Sequence, residues 1–171
     1  MTVGIDFDNT IVNTAEVSKK YLDIFKPNNN LKNFHELPPN EKRIFFNKYK
    51  LEITNNSLLN SGVKEAFRFF KDNNIKTILI TARSDAKQIK ATRKYLKKHG
   101  IIFDSLCFNN KVKDKVCVDN NVDLMIDDTE NVLETVSHKG IKVLKYGTKS
   151  EKINSVKDWF EIIELIRKEI Q

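Results

Sequence analysis

The stretch "VGIDFDNT", residues 3–10, runs from an apolar segment directly into two aspartates, Asp6 and Asp8, separated by one residue. Two like charges 4 Å apart repel by roughly 4 kcal/mol at an effective dielectric near 20. A chain that puts them at the end of an interior strand must compensate them, and the compensating groups have to come from elsewhere in the sequence.

Outward from that strand, four more short apolar runs alternate with helix-period segments: "KTILIT" (76–81), "SLCF" (105–108), "DLMID" (123–127) and "IKVLKY" (141–146). The intervening stretches 62–74, 84–100 and 129–140 read as helices that close on Asn74, Gly100 and Gly140, residues suited to a left-handed C-terminal cap. Ser84 and Thr129 are the expected N-caps. A last helix is expected over 155–170. This alternation predicts an α/β fold, a doubly wound, largely parallel sheet with helices on both faces. The segment 12–61 breaks the rhythm, with two helical stretches (15–25 and 40–50) around "KPNNNLKNFHELPPN". It reads as a small helical cap inserted after strand 1, leaving 1–11 and 62–171 as the core.

The 171 residues suit one full-sized domain plus a small insertion. With 40% hydrophobic and 31% charged residues and no apolar run of bilayer length, membrane spanning is excluded as an expectation. The opening residues lack the pattern of a secretory leader, so a cytoplasmic location is expected. Cys107 and Cys117 match neither a zinc pair nor a redox motif and read as two buried thiols. The net charge of +7 favours an anionic partner, but the lysines show no aromatic-interleaved cluster, so a small phosphorylated substrate is preferred over nucleic acid. Oligomeric state is not legible.

In an open parallel sheet the functional crevice lies at the carboxyl ends of the strands. That rule gathers Asp6, Asp8, Asn9 and Thr10 from the first strand, Thr81-Ala82-Arg83 from the second, and Asp127-Asp128 from the fourth. So many carboxylates need a cation, and an all-oxygen set without His or Cys favours a hard ion such as Mg²⁺. A phosphate brought there could be attacked by a carboxylate, with Thr81 and Lys115, the basic group shortly before the fourth strand, binding its other oxygens. A second carboxyl two residues on, pointing to the same side of an extended chain, can serve as acid and base.

"DFDNT", "ILITAR", "KDK" and "LMIDD" together resemble the four motifs of the haloacid dehalogenase-like (HAD) hydrolase superfamily, over the chain from Val3 to about Tyr146. The resemblance implies a Rossmann-like HAD core and a Mg²⁺-dependent phosphatase. It assigns Asp6 as the phosphorylated nucleophile and Asp8 as the acid/base that also lends its backbone carbonyl to the metal. Thr81 and Lys115 become the phosphate-binding pair, with Lys113 as the next choice for the lysine. Asp127 becomes a direct metal ligand and Asp128 a ligand through water. Asn9, Thr10, Ala82 and Arg83 complete the expected substrate-binding set, Thr10 by supporting the loop and Asn9 in place of the common Gly. Within the superfamily the chain is similar to the 5′(3′)-deoxyribonucleotidase and cytosolic type C 5′-nucleotidase-like group, on "LITAR", the lysine-to-acid spacing and the insertion after strand one. That implies a nucleoside monophosphate substrate.

Other readings remain. The substrate could be a sugar phosphate or a phosphorylated nucleic-acid end, or the fold could serve as a non-catalytic binding module. A calcium loop is excluded, because Ile11 occupies the position needing Gly and Val17 the position needing a bidentate Glu. Phe34, Phe45, Phe46 and Tyr49 could stack on a base or simply form the interior of the cap. His35 has no partner pattern. Arg83 could bind substrate or pair with an acid.

Overall fold

The computed structural model describes residues 1–170. Six parallel strands form one sheet in the order β3-β2-β1-β4-β5-β6. They are β1 (Thr2–Ile5), β2 (Lys76–Ile80), β3 (Ser105–Cys107), β4 (Leu124–Asp127), β5 (Lys142–Tyr146) and β6 (Ser155–Val156). The helices are α1 (Thr14–Phe25), α2 (Pro39–Asn56), α3 (Val63–Asp72), α4 (Ala86–His99), α5 (Lys113–Asp119), α6 (Glu130–Ser137) and α7 (Trp159–Ile170). No described helix is long and apolar enough to cross a membrane.

Side-chain alternation along the strands divides the interior into two layers. Val3, Ile5, Leu79, Leu124 and Ile126 face Val63, Ala66 and Phe70 of α3, Tyr95 and Leu96 of α4, and Trp159, Ile162 and Ile166 of α7. Ile78, Ile80 and Met125 face the other way, onto Cys117 of α5 and Leu133 and Val136 of α6. Gly4 lies in this second layer. A Cβ there would come within 2.9 Å of Met125 Sδ and 3.0 Å of Ile80 Cδ1, so the missing side chain lets those two meet across the central strand.

Several local expectations need correction. Residues 113–119, given no element in the sequence reading, form α5. The last helix begins at Trp159 rather than at 155, because Ser155 and Val156 pair with β5 as an edge strand. The N-cap of α4 is Asp85, whose carboxylate accepts the Gln88 N–H at 3.0 Å, not Ser84. Thr129 occupies the N-cap of α6 but makes no side-chain capping bond. Cys117 is buried, whereas Cys107 is only half-buried. Asn74, Gly100 and Gly140 do adopt the left-handed conformation, with φ of 54°, 70° and 78°.

Between β1 and α3, helices α1 and α2 pack on each other through an apolar cluster of their own, built on Val17, Leu22, Leu37, Phe45, Tyr49 and Ile53. The ring of Phe34, in a short 3₁₀ turn, stacks on Phe45 with centroids 5.4 Å apart. The far side of α2 rests on α4, where Lys50 pairs with Asp85 at 2.8 Å. These helices therefore stand over the carboxyl end of the sheet.

Candidate active site

The strand order reverses at β1, which has β2 on one side and β4 on the other. A crevice opens at such a point because the connections leave in opposite directions. It widens into a chamber of about 760 Å³ beneath α1 and α2, lined by Asp6, Asp8, Asn9, Thr81, Ala82, Arg83, Lys113 and Asp128 on the sheet side.

Asp6 follows β1 directly and is 5% exposed. Lys113, at the first residue of α5, reaches it at 2.5 Å and reaches Asp127 at 2.7 Å. The Asp127 carboxylate also accepts the Thr129 N–H at 2.8 Å, which orients it at the end of β4. One oxygen from each of Asp6, Asp127 and Asp128 lies within 4.8 Å of the others.

Burial is the largest influence on Asp6 and pushes its carboxyl well above the usual range; Lys113 opposes that, and the charges of Asp127 and Asp8 add to it. Burial alone would pull the Lys113 ammonium down, but the charges of Asp6 and Asp127 outweigh it and raise it. Asp128 is raised by burial and by the charge of Asp127. Four carboxylates thus face two buried cations, Lys113 and Arg83. The missing positive charge and the all-oxygen donor set fit one hard divalent ion held by Asp6, Asp127 and Asp128.

Asp8 is arranged differently. Arg83 grips its carboxylate with two bonds, at 2.9 Å from Nε and 2.6 Å from Nη2. The remaining guanidinium nitrogen donates to Thr54 of α2 at 3.0 Å and Thr92 of α4 at 2.8 Å, and the plane lies 4.4 Å from the Phe7 ring. Burial raises the Asp8 carboxyl, but the charge and hydrogen bonds of Arg83 more than offset it, so the net shift is downward. Arg83 thereby ties the strand-1 loop, α2 and α4 together. Arg83→Met is expected to cost about 1–3 kcal/mol in denaturant melts, because it removes the buried guanidinium's hydrogen bonds to Thr54 and Thr92 as well as the partner of the partly exposed Asp8 carboxylate. A loss under 0.5 kcal/mol would contradict that role.

Asn9 sits at φ 57°, a left-handed conformation that Asn tolerates better than most residues. Its amide donates to Asp128 at 3.2 Å and accepts from the Ala15 N–H at 2.6 Å, joining the loop to β4 and to the start of α1. Its side chain is therefore committed within the protein. Thr81 is 1% exposed at the end of β2, with its hydroxyl accepting the Arg83 N–H at 3.3 Å. Ala82 lines the chamber beside it. Thr10 does not line it; the side chain is fully buried, while its carbonyl accepts from Trp159 Nε1 at 2.9 Å and Asn60 Nδ2 at 2.9 Å.

The lysine expected at 115 needs correction: Lys115 is exposed and makes no ion pair among the described residues, while Lys113 is buried in the carboxylate cluster. Lys113 and Cys117 are four residues apart on the buried side of α5, and Lys115 points elsewhere. The signal was present in the sequence as the spacing from Lys113 to an apolar Cys117, but it carries meaning only once 113–119 is read as a helix. Phe45 and Tyr49 are buried in the interior of the α1–α2 pair, with Phe34 packed against them; Phe34 and Phe45 also line the chamber, as does Phe46, which lies outside that cluster. The His35 ring lies tilted against Phe34, with centroids 4.0 Å apart, and also lines the chamber, with burial, followed by the charge of Lys42, lowering its imidazole.

No protein-family model matches the chain, and no curated protein matches its sequence. Solved structures do match, across nearly the whole length. A predicted phosphatase from Clostridium acetobutylicum superposes with a TM-score of 0.74 at 13% identity, covering 98% of both chains. CbbY from Rhodobacter sphaeroides, in complex with phosphate, superposes at 0.69 with 12% identity, covering 94% of this chain and 95% of that one. A HAD-superfamily hydrolase from Ehrlichia chaffeensis gives 0.64 at 19% identity, covering 99% and 97%. The chain has the Rossmann-like α/β fold of HAD-superfamily hydrolases.

Proposed function

We propose that the protein is a Mg²⁺-dependent phosphomonoesterase acting through a phospho-aspartate at Asp6. The carrying observation is the buried Asp6 carboxylate, held against Lys113 beside Asp127 and Asp128 where the crevice opens into the chamber. The phosphatases and HAD hydrolases of the same fold support the class.

Asp6, Asp127 and Asp128 would hold the ion, with the Asp8 backbone carbonyl as a further ligand. When bound, it offsets the negative charge of the carboxylates and of the incoming phosphate. Thr81 and Lys113 take the phosphate oxygens by hydrogen bond and charge. An Asp6 oxygen forms the new bond to phosphorus as the ester P–O bond breaks, and the departing oxygen takes its proton from Asp8. Asp8, now a carboxylate, accepts a proton from water as that water attacks the phospho-aspartate, which releases phosphate and restores both groups. Arg83 holds Asp8 in place and favours its charged form, which suits the step in which Asp8 takes the proton of the attacking water and opposes the step in which it donates one. Helices α1 and α2, within the segment 12–61, act as the cap that excludes bulk water from this chemistry.

A nucleoside monophosphate is the preferred substrate, because Phe46 offers a flat apolar face beside the carboxylates. A sugar phosphate is the second reading, favoured by the complex of a CbbY variant with xylulose-1,5-bisphosphate on the same fold. Hydrolysis of p-nitrophenyl phosphate with Mg²⁺ and with EDTA tests the class; a panel of nucleoside monophosphates, sugar phosphates and terminally phosphorylated oligonucleotides tests the substrate. EDTA is expected to abolish turnover. Mg²⁺ at a hundred times its dissociation constant should stabilise the fold by about 2.7 kcal/mol, read as a rise in melting temperature. Turnover undiminished by EDTA would overturn the metal assignment.

A further inference from the structure

Two polar side chains in the chamber have no part in the chemistry at Asp6. Ser18, midway along α1 and 5% exposed, lines the chamber, and its hydroxyl has no hydrogen-bond partner among the described residues. A helical Ser or Thr often bonds to the carbonyl four residues back. Thr54, Ser57 and Thr92 all do so, at 2.7–2.8 Å. Ser18 does not. Gln88, in the first turn of α4 and 8% exposed, also lines the chamber. Its backbone N–H is bonded to Asp85; its side-chain amide bonds to no other described residue and, unlike the Ser18 hydroxyl, is not shut away from solvent.

Buried polar groups are normally paired; the Ser18 hydroxyl is an exception, and Gln88, on a different element, lines the same chamber with its amide accessible. Between them they offer a hydroxyl, which both donates and accepts, and an amide with a carbonyl oxygen and two N–H donors. Phe46 shares the chamber and stands outside the cap's apolar cluster, with the Lys50 ammonium 5.5 Å from its ring centre. A flat face next to unpaired donors and acceptors suits a planar heterocycle with a polar rim. A polyol has no flat face to lay on the ring.

Resting on the phosphomonoesterase reading, we infer that Ser18 and Gln88 are specificity-determining residues that hydrogen-bond the polar edge of the leaving group while its ring lies against Phe46. Binding pairs the Ser18 hydroxyl and replaces solvent on the Gln88 amide, so a leaving group lacking those atoms leaves both desolvated and unpaired in the complex. Discrimination then comes from the substrate's rim as well as from its phosphate.

Calorimetric titration of the Asp6→Asn protein in Mg²⁺, with inorganic phosphate and with a panel of nucleoside monophosphates, separates the two readings. The preferred nucleotide is expected to bind at least about tenfold tighter than phosphate. Ser18→Ala and Gln88→Leu, each added to that background and checked by thermal melt, should each shrink the margin about fivefold to tenfold while acting less on phosphate. A margin unchanged in both variants overturns the assignment of Ser18 and Gln88, as does a nucleotide that binds no tighter than phosphate; the phosphatase reading survives either result. Failure of both ligands to bind overturns the phosphatase reading as well.

Discussion

Asp6→Asn is expected to lower phosphomonoester turnover by at least about 10⁴-fold while making the metal-free protein more stable at pH 7. The first effect follows from removing the oxygen that would attack phosphorus; knocking out a single nucleophile in an enzyme whose groups act as a unit removes most of its catalysis. The second follows from the charge at the site. Burial holds the Asp6 carboxyl well above its ordinary value, with Asp127 and Asp8 adding to the shift against Lys113. A carboxyl raised in the folded state contributes its stability fully below its unfolded value, and that stability is lost as pH rises through the folded value. Without metal, the wild type should therefore lose more stability than Asp6→Asn between pH 4 and neutrality. Thermal melts of both proteins in EDTA across that range measure the difference, and turnover assays measure the rate. A variant that kept a tenth of wild-type activity would remove Asp6 from the centre of the chemistry, and parallel stability curves would remove the charge argument.

The second large effect separates two lysines. Lys113→Met is expected to cost about 3–5 kcal/mol in the metal-free protein, since it leaves Asp6 and Asp127 buried without their shared cation. Excess Mg²⁺ should recover part of that loss, because the ion supplies charge to the same carboxylates. Turnover should fall at least about 100-fold, as one of the two groups proposed to bind the phosphate oxygens is gone. Lys115→Ala, at an exposed position two residues along the same helix, should change stability by no more than about 0.5 kcal/mol. Denaturant melts with and without Mg²⁺, together with initial rates, distinguish them. The reverse pattern would return the role to Lys115.

These two lysines mark where local sequence stops being informative. Lys111, Lys113 and Lys115 alternate in a polar stretch, and alternation by itself says nothing about which one turns inward. The turn inward is set by α5, which presents Lys113 and Cys117 to the sheet. Arg83 is a similar case. Its chain neighbours place it at the end of β2, but its partners Asp8, Thr54 and Thr92 come from three other parts of the fold. Among the aromatics of α2, Phe45 and Phe46 are adjacent in sequence and both line the chamber, yet Phe45 is fully buried in the α1–α2 cluster and Phe46 lies outside it.

The alternation of strands and helices, the parallel sheet, and the strand ends that carry Asp6, Thr81 and Asp127 were legible in the order of residues alone. Those features depend on side-chain periodicity and on residues close in the chain, which a linear string records directly. Which lysine neutralises the carboxylates, the grip of Arg83 on Asp8, and the places of the unpaired Ser18 hydroxyl and of Gln88 on the chamber wall emerge only once the chain is folded. Each of those is a contact, or a missing contact, between segments brought together by helix rotation and sheet order, so its energy depends on distances that no local pattern encodes.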